Sequence, residues 1–318
     1  MAAMGEKVAV VDVGSNSIKL LVARAGPTPE SLEALFSETI ETRISTGISH
    51  ELPSLAESAI TVGTATIVEL LAMARSYVPA QTVIVATSAV RDAINGDDFR
   101  QSVFEACGQS IRILSGSEEA HYIGLGLSCD PAIQGMNRFI QTDIGGGSLE
   151  LIRFEENHIK QAISLQLGAV RLSERFIKDR EGPLLPETEV ALREHVAEVI
   201  TASGFDFGRS EWPLVATGGA YTVSRAVLAA QAGLDMDSSS PYLPRTALDV
   251  LCKQLAALPL HERLNTPHLP AARADIFPTA LVTIDTLLGC AQREGLTHSL
   301  YNLRYGIAAD LLGLRDFP

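Results

Sequence analysis

Cysteine is scarce in this chain and widely scattered. The four thiols, Cys107, Cys129, Cys252 and Cys290, form no CxxC and have no histidine nearby. They read as buried thiols, and a structural zinc site is not expected. The seven histidines make no HxH, HD or HExxH pair, which argues against a histidine-based metal centre. Long apolar runs are missing too; none approaches the ~18 residues that a spanning helix needs. The opening Met1-Ala2-Ala3-Met4-Gly5-Glu6-Lys7 lacks a signal peptide's apolar core and passes straight into a strand. The cytoplasm is the expected location, with no membrane partner. Positive charge is also short: 25 Lys and Arg stand against 38 Asp and Glu, for a net charge of −13. That balance argues against a nucleic-acid partner, and its field opposes any polyanionic substrate. Basic residues gather only locally, at Lys160, Arg171, Arg175, Lys178 and Arg180, which fits a solvated helix face as well as an anion patch.

What is present is an ordinary globular composition, 46% hydrophobic and 20% charged, over 318 residues, a length that suits two domains. The chain is organised around Thr142-Asp143-Ile144-Gly145-Gly146-Gly147-Ser148-Leu149-Glu150. The apolar Phe139-Ile140 leads in and Leu149-Glu150-Leu151-Ile152 alternates away, which predicts strand, tight turn, strand. A turn without Cβ atoms lets successive N–H groups approach one anion. Asp143 and Glu150 flank it, and carboxylates beside an anion are costly unless a metal or a reacting water lies between. The pattern occurs earlier as Asp12-Val13-Gly14-Ser15-Asn16-Ser17, with Asp, first Gly and Ser in register. A repeat at domain-sized spacing predicts two related halves, each with a phosphate-facing hairpin, and loops that meet in a cleft.

Between the hairpins, Ser54-Leu55-Ala56-Glu57 reads as a capping box opening a helix to about Tyr77. The strand Thr82–Ala86 delivers Thr87-Ser88-Ala89-Val90-Arg91-Asp92 at its C-terminal end, where open α/β sheets bind ligands. Arg91 either grips phosphate or pairs with Asp92 or Asp98. A strand over Ile111–Leu114 delivers Ser115-Gly116-Ser117-Glu118-Glu119-Ala120, with Ser117 as the N-cap of a helix to about Leu127. By themselves Glu118 and Glu119 read as complements of the helix dipole, and Gly124 and Gly126 as a hinge.

After the second hairpin come a returning strand, His158–Leu165, an amphipathic helix over Leu167–Phe176, and a helix over about Glu187–Ala202. Pro213–Ala216 is a strand running into Thr217-Gly218-Gly219-Ala220 at the start of a helix, a third anion cradle. No Lys-Ser/Thr follows those glycines, which excludes a P-loop. Helices over Thr246–Ala256 and Ala274–Arg293, a strand over Ser299–Asn302 and a closing helix over Tyr305–Leu314 complete an α/β chain.

Taken together and in order, Val11–Ser17, Ala86–Ala93, Ser115–Ala120, Asp143–Glu150, Leu167–Arg171 and Arg273–Ile276 resemble the exopolyphosphatase and guanosine-pentaphosphate phosphatase family, within the actin-like superfamily. The resemblance covers nearly the whole chain. It implies two actin-like (ribonuclease H-like) α/β domains, residues 1–124 with 305–318 and residues 125–304, with an active-site cleft between them. It implies phosphoanhydride hydrolysis with Mg²⁺. It makes Glu119, the second glutamate of Gly-x-Glu-Glu-Ala, the catalytic base, where the dipole reading gave it no such part. Asp143 and Glu150 then support catalysis by holding Mg²⁺ or the water network, as Asp12 would from the other hairpin. Asn16, Ser17, Arg91, Gly145, Gly146, Gly147, Ser148, Thr217, Gly218 and Gly219 would bind phosphate.

Three positions depart from the family pattern. Leu149 stands where Thr is usual, which removes a hydroxyl from the cradle. Ala220 and Tyr221 follow Gly218-Gly219 where a small Thr comes first, and Tyr305 stands where Glu is common. Longer relatives also carry a further helical, HD-like region that this sequence lacks, which with the acidic balance favours short polyphosphate or a nucleotide polyphosphate. The expected function is release of terminal phosphate from inorganic polyphosphate or guanosine pentaphosphate, by a chain that a homodimer would suit. An ATP-using kinase of the same superfamily is one alternative, and it would need an adenosine pocket and an acceptor site. A non-catalytic sensor of a phosphorylated alarmone is the other.

Overall fold

A computed structural model describes residues 5–28, 31–45, 52–133, 135–156 and 158–314. The chain forms two compact units, one reaching Met136 and resuming at Tyr301, the other spanning Asn137–Leu300.

The first unit holds β1 (Lys7–Val13), β2 (Ser17–Ala25), β3 (Leu32–Glu41), α1 (Glu57–Arg75), β4 (Gln81–Ala86), the one-turn α2 (Ser88–Asp92), α3 (Gly96–Cys107), β5 (Ile111–Ile113) and α4 (Gly116–Ser128). Its sheet runs β3-β2-β1-β4-β5, with β1 antiparallel to β2 and parallel to β4. A strand with a neighbour on each side and helices packed on it has no wet face. The run Val8–Val11 is accordingly unbroken and fully buried. In α1, Ile67, Leu70, Leu71 and Ala74 recur at helical spacing and pack with Phe99 and Val103 of α3. This helix matches a membrane span in length and hydropathy, yet that face belongs to the unit's core.

The second unit holds β6 (Arg138–Ile144), β7 (Leu149–Glu155), β8 (His158–Leu165), α5 (Ala169–Phe176), α6 (Pro186–Ala202), β9 (Leu214–Thr217), α7 (Gly219–Gln231), β10 (Tyr242–Pro244), α8 (Arg245–Ala257), α9 (Leu260–Arg263), α10 (Phe277–Cys290) and β11 (Gly295–His298). The chain then returns to the first unit for α11 (Leu303–Leu311). The second sheet runs β8-β7-β6-β9-β11-β10. Its first five strands repeat the other sheet: two antiparallel pairs, β8/β7 and β7/β6, then β9 and β11 added in parallel. The short β10 is an extra antiparallel edge. The repeated hairpin therefore marks a repeated fold.

Several sequence expectations need correction. The boundary expected after residue 124 falls inside α4, which stays with the first unit because it packs closely on α11. A side chain on Gly126 would sit 3.0 Å from Gly306 N, and one on Gly306 would sit 2.9 Å from Gly126 N. Gly126 thus serves a close helix crossing, where a hinge was expected. The N-cap of α4 is Ser115, not Ser117, with Glu118 completing a capping box. Ser54 caps nothing: α1 starts after Ala56, which has no side-chain cap, and the Leu55 backbone is held instead by both ends of the Asn95 amide. The last strand is Gly295–His298, with residues 299–302 outside it.

Candidate active site

In the first unit, the β1–β2 turn is closed by Gly14 N–H donating to the Ser17 carbonyl at 3.1 Å. The Ser15 carbonyl accepts from Ser45 N–H, and the Asn16 carbonyl accepts from both Thr42 and Arg43 N–H. In a trans peptide the C=O and the following N–H point in opposite directions. The N–H groups of Asn16 and Ser17 therefore face away from that bracing segment, as an anion cradle requires. The Asn16 side chain, expected to bind phosphate, has a protein partner beside the turn. Its amide donates to Glu41, and its Oδ1 is buried without a partner.

Asp12 is paired across the hairpin with Lys19. Burial pushes its carboxyl above the ordinary range, against the pull of Lys19 and of Arg304. Arg304 is itself buried and donates to the Leu20 carbonyl and to Ser37 Oγ. Lys19 and Arg304 thus lie near the carboxyl for which the sequence suggested a metal.

Arg91, in α2, brings Nη1 3.1 Å from Glu119 Oε2 and 3.0 Å from the Leu114 carbonyl, with Nε 3.5 Å from Asp92. The two first-turn glutamates of α4 have separate tasks. Glu118 accepts from Ser115 N–H and from Arg112, and these bonds hold its carboxyl down to about 2. Glu119 is buried and faces Arg91. A dipole complement has no need of burial, so the geometry separates the two acids that the sequence left adjacent.

In the second unit, Gly145 N–H donates to the Ser148 carbonyl at 2.9 Å, the counterpart of the Gly14–Ser17 bond. The first N–H groups of α5 then take the turn's carbonyls: Ala169 donates to Gly145, and Val170 and Arg171 to Gly146. Arg171 Nε adds a bond to the Gly147 carbonyl at 3.0 Å. By the same planarity, the N–H groups of Gly146, Gly147 and Ser148 all point away from α5, which makes a nest for an anion. The approach is close enough that a side chain on Gly168 would run into the Gly146 and Gly147 carbonyls.

Asp143 and Glu150 are directly paired in the β6–β7 register, so their side chains share one face. Asp143 Oδ2 accepts from Thr217 Oγ at 2.8 Å, and Glu150 Oε1 accepts from Ser164 Oγ at 2.8 Å. Glu150 occupies the hairpin position that Lys19 holds in the first unit. Among the described residues no three His, Cys, Asp or Glu gather as a metal cage. Mg²⁺ commonly binds one or two carboxylates and completes its shell with water and substrate phosphate, so the Asp143–Glu150 pair fits it. Gly218 adopts φ +97° with its Cα pressed against the Asp143 carboxylate, which a side chain there would overlap. The Thr217 hydroxyl donates to Asp143, so this side chain orients an acid, and the backbone N–H groups at the start of α7 are what this loop could offer an anion.

The sequence-based model of the Ppx/GppA phosphatase family matches residues 21–314. The chain belongs to this family. Solved Ppx/GppA structures share its fold. An exopolyphosphatase from Cytophaga hutchinsonii superposes with a TM-score of 0.87 at 21% identity, covering 98% of this chain and 99% of that one. A Ppx/GppA family member from Aquifex aeolicus gives 0.78 at 21% identity, covering 98% and 99%. An exopolyphosphatase-like protein gives 0.86 at 21% identity, covering 96% and 99%.

The departures from the Ppx/GppA pattern have structural explanations. Leu149 is fully buried beside Ile144 and Leu151 in the core, on the opposite face of β7 from Glu150. A hydroxyl there would point away from the two acids, so the cradle loses nothing. Tyr221 is buried with its hydroxyl 3.1 Å from Thr142 Oγ, which ties α7 to β6. Tyr305 lies against Tyr301 with ring centroids 4.6 Å apart, and burial pushes its phenol up.

Four residues acquire a place that sequence reasoning did not give them. Ser164 alternates toward Glu150, and Gln141 lies two residues before Asp143 on the same strand face. Arg171 stands in the sequence only within a basic cluster and the Leu167–Arg171 motif, and Arg273 only within its own motif, although Arg171 bonds the Gly147 carbonyl and the Arg273 guanidinium abuts Gly219. Strand alternation could have found the first two. Of the other basic residues in that cluster, Arg175 bonds His195 and Arg180 pairs with Asp275 at 3.5 Å.

Proposed function

We propose that this Ppx/GppA protein is a Mg²⁺-dependent phosphoanhydride hydrolase. It releases terminal phosphate from inorganic polyphosphate, with short chains favoured, or from guanosine pentaphosphate. The observation that carries this reading is in the second unit. Three successive N–H groups, at Gly146, Gly147 and Ser148, face away from α5 beside two carboxylates that share a face. An anion nest next to paired acids is electrostatically sensible when the anion arrives with a cation or is attacked by a water that an acid activates.

In this reading the nest fixes the terminal phosphoryl group, and positioning supplies much of the rate enhancement because the transferred group needs little covalent help. Glu119 takes the proton of the attacking water, oriented by Arg91. Asp143 and Glu150 would hold Mg²⁺, which when bound neutralises charge developing on the phosphate oxygens. Thr217 and Ser164 keep those two carboxylates in place through their hydroxyl bonds. The net charge of −13 opposes long polyanions and supports the short-chain preference. One solved relative is an exopolyphosphatase and another is exopolyphosphatase-like, which agrees with polyphosphate as substrate. The test is phosphate release compared across long polyphosphate, short polyphosphate, guanosine pentaphosphate and ATP, with and without Mg²⁺. Release from the first three above ATP supports the proposal; release from none of them, or ATP preferred, removes it.

A further inference from the structure

We infer that Gln141 is a positioning residue that sets the direction of the Asp143 carboxylate through the Thr217 hydroxyl. The inference rests on the proposed role of Asp143. Gln141 and Asp143 are two residues apart on β6 and share a face, and Asp143 is paired in register with Thr217 on β9. Gln141 Nε2 lies 3.0 Å from Thr217 Oγ, and Thr217 Oγ lies 2.8 Å from Asp143 Oδ2. Gln141 and Thr217 are fully buried, so water does not compete for these bonds.

A hydroxyl has one hydrogen, and a carboxylate can only accept. With that hydrogen on Asp143, Thr217 must accept from Gln141, which fixes the amide with its nitrogen toward Thr217. The other end of the amide bears the consequence: Gln141 Oε1 is buried with no partner. An orphaned buried acceptor lowers stability. The flipped amide would put Oε1 on Thr217 and draw the hydroxyl hydrogen away from Asp143. An apolar side chain, such as that of Ile152 across the ladder, would carry no such penalty. Position 141 therefore gives up stability for an arrangement whose beneficiary is Asp143, a pattern common at functional sites.

The experiment compares Gln141→Leu, Gln141→Glu, Thr217→Val, Asp143→Asn and the Gln141→Leu/Thr217→Val pair. Phosphate release from inorganic polyphosphate is measured with melting temperature. Gln141→Leu is expected to melt no lower than the parent while kcat falls about tenfold and KM moves less than about twofold, the loss of one charge-assisted arrangement. Gln141→Glu, an acceptor that competes with Asp143 for the hydroxyl hydrogen, is expected to lower kcat further. In the Thr217→Val background, Gln141→Leu should add no further loss, because the effect passes through that hydroxyl. Parental kcat in Gln141→Leu, a loss of activity that only tracks a lower melting temperature, or additive losses in the pair would overturn the inference. Asp143→Asn separates the two levels: parental turnover there overturns the reading of Asp143 itself, whereas an inactive Asp143→Asn beside a fully active Gln141→Leu overturns only the role of Gln141.

Discussion

Arg91 holds Glu119 and the end of β5 at once, with Nη1 3.1 Å from Glu119 Oε2 and 3.0 Å from the Leu114 carbonyl. A planar guanidinium makes both bonds from one rigid group, and an ammonium cannot reproduce that geometry. Arg91→Lys is therefore expected to cost up to about 1.5–3 kcal/mol of stability, the worth of one hydrogen bond to a charged group, and to lower kcat by roughly tenfold or more because Glu119 is no longer held in place. Steady-state phosphate release with a thermal melt checks it, and an unchanged kcat would show that the pair does not act in turnover.

Glu118 and Glu119 should separate cleanly by mutation. Glu118→Ala removes half of the Ser115 capping box and is expected to cost about 1 kcal/mol at pH 7 with near-parental turnover. The Glu118 carboxyl is held down to about 2 from an ordinary 4.5. A depressed acid stabilises the fold above its unfolded value, and that contribution fades as pH falls. The stability gap between parent and variant should thus be full above about pH 4.5 and close toward pH 2. Because Glu118 is substantially exposed, screening keeps the gap small. Urea titrations at several pH values measure it, and a gap that widens in acid would contradict the cap assignment.

Gly168 has no room for a Cβ against the Gly146 and Gly147 carbonyls. Gly168→Ala is expected to destabilise the second unit by about 1–3 kcal/mol, the range for overpacking, and to raise KM because the turn proposed to bind phosphate is displaced. Denaturation and kinetics on the same preparation check both effects. A variant with parental stability and KM would mean that the turn is not held by this approach.

Leu149→Thr restores the residue common in the family, and it should not improve activity. The side chain lies in the core, so losing apolar volume and burying a hydroxyl is expected to cost about 2–4 kcal/mol. Equal or better stability with faster turnover would show that the position serves the cradle after all.

How far the sequence reached can be judged residue by residue. The two hairpins were legible because strand alternation and glycine turns are local signals, and the Asp–Gly–Ser register exposed the duplication that both sheets share. Position 149 was misread because its face is decided by the pairing of β7, although counting by two from Glu150 would have placed it in the core. The edge strand β3 was missed because its half-exposed face carries a weak pattern and its pairing with β2 is tertiary. Glu118 and Glu119 could not be told apart locally, since which acid is buried depends on Arg91, 28 residues upstream of Glu119. The Gln141–Thr217 bond joins strands 76 residues apart, and nothing near either residue announces it.

The most direct test of the central claim is phosphate release from short-chain polyphosphate in Mg²⁺ by the parent and by Glu119→Gln, with substrate binding measured by calorimetry. Removal of a general base is expected to slow release by about 10²–10⁴-fold while binding and melting temperature stay near parental values. Parental release by Glu119→Gln would contradict the account.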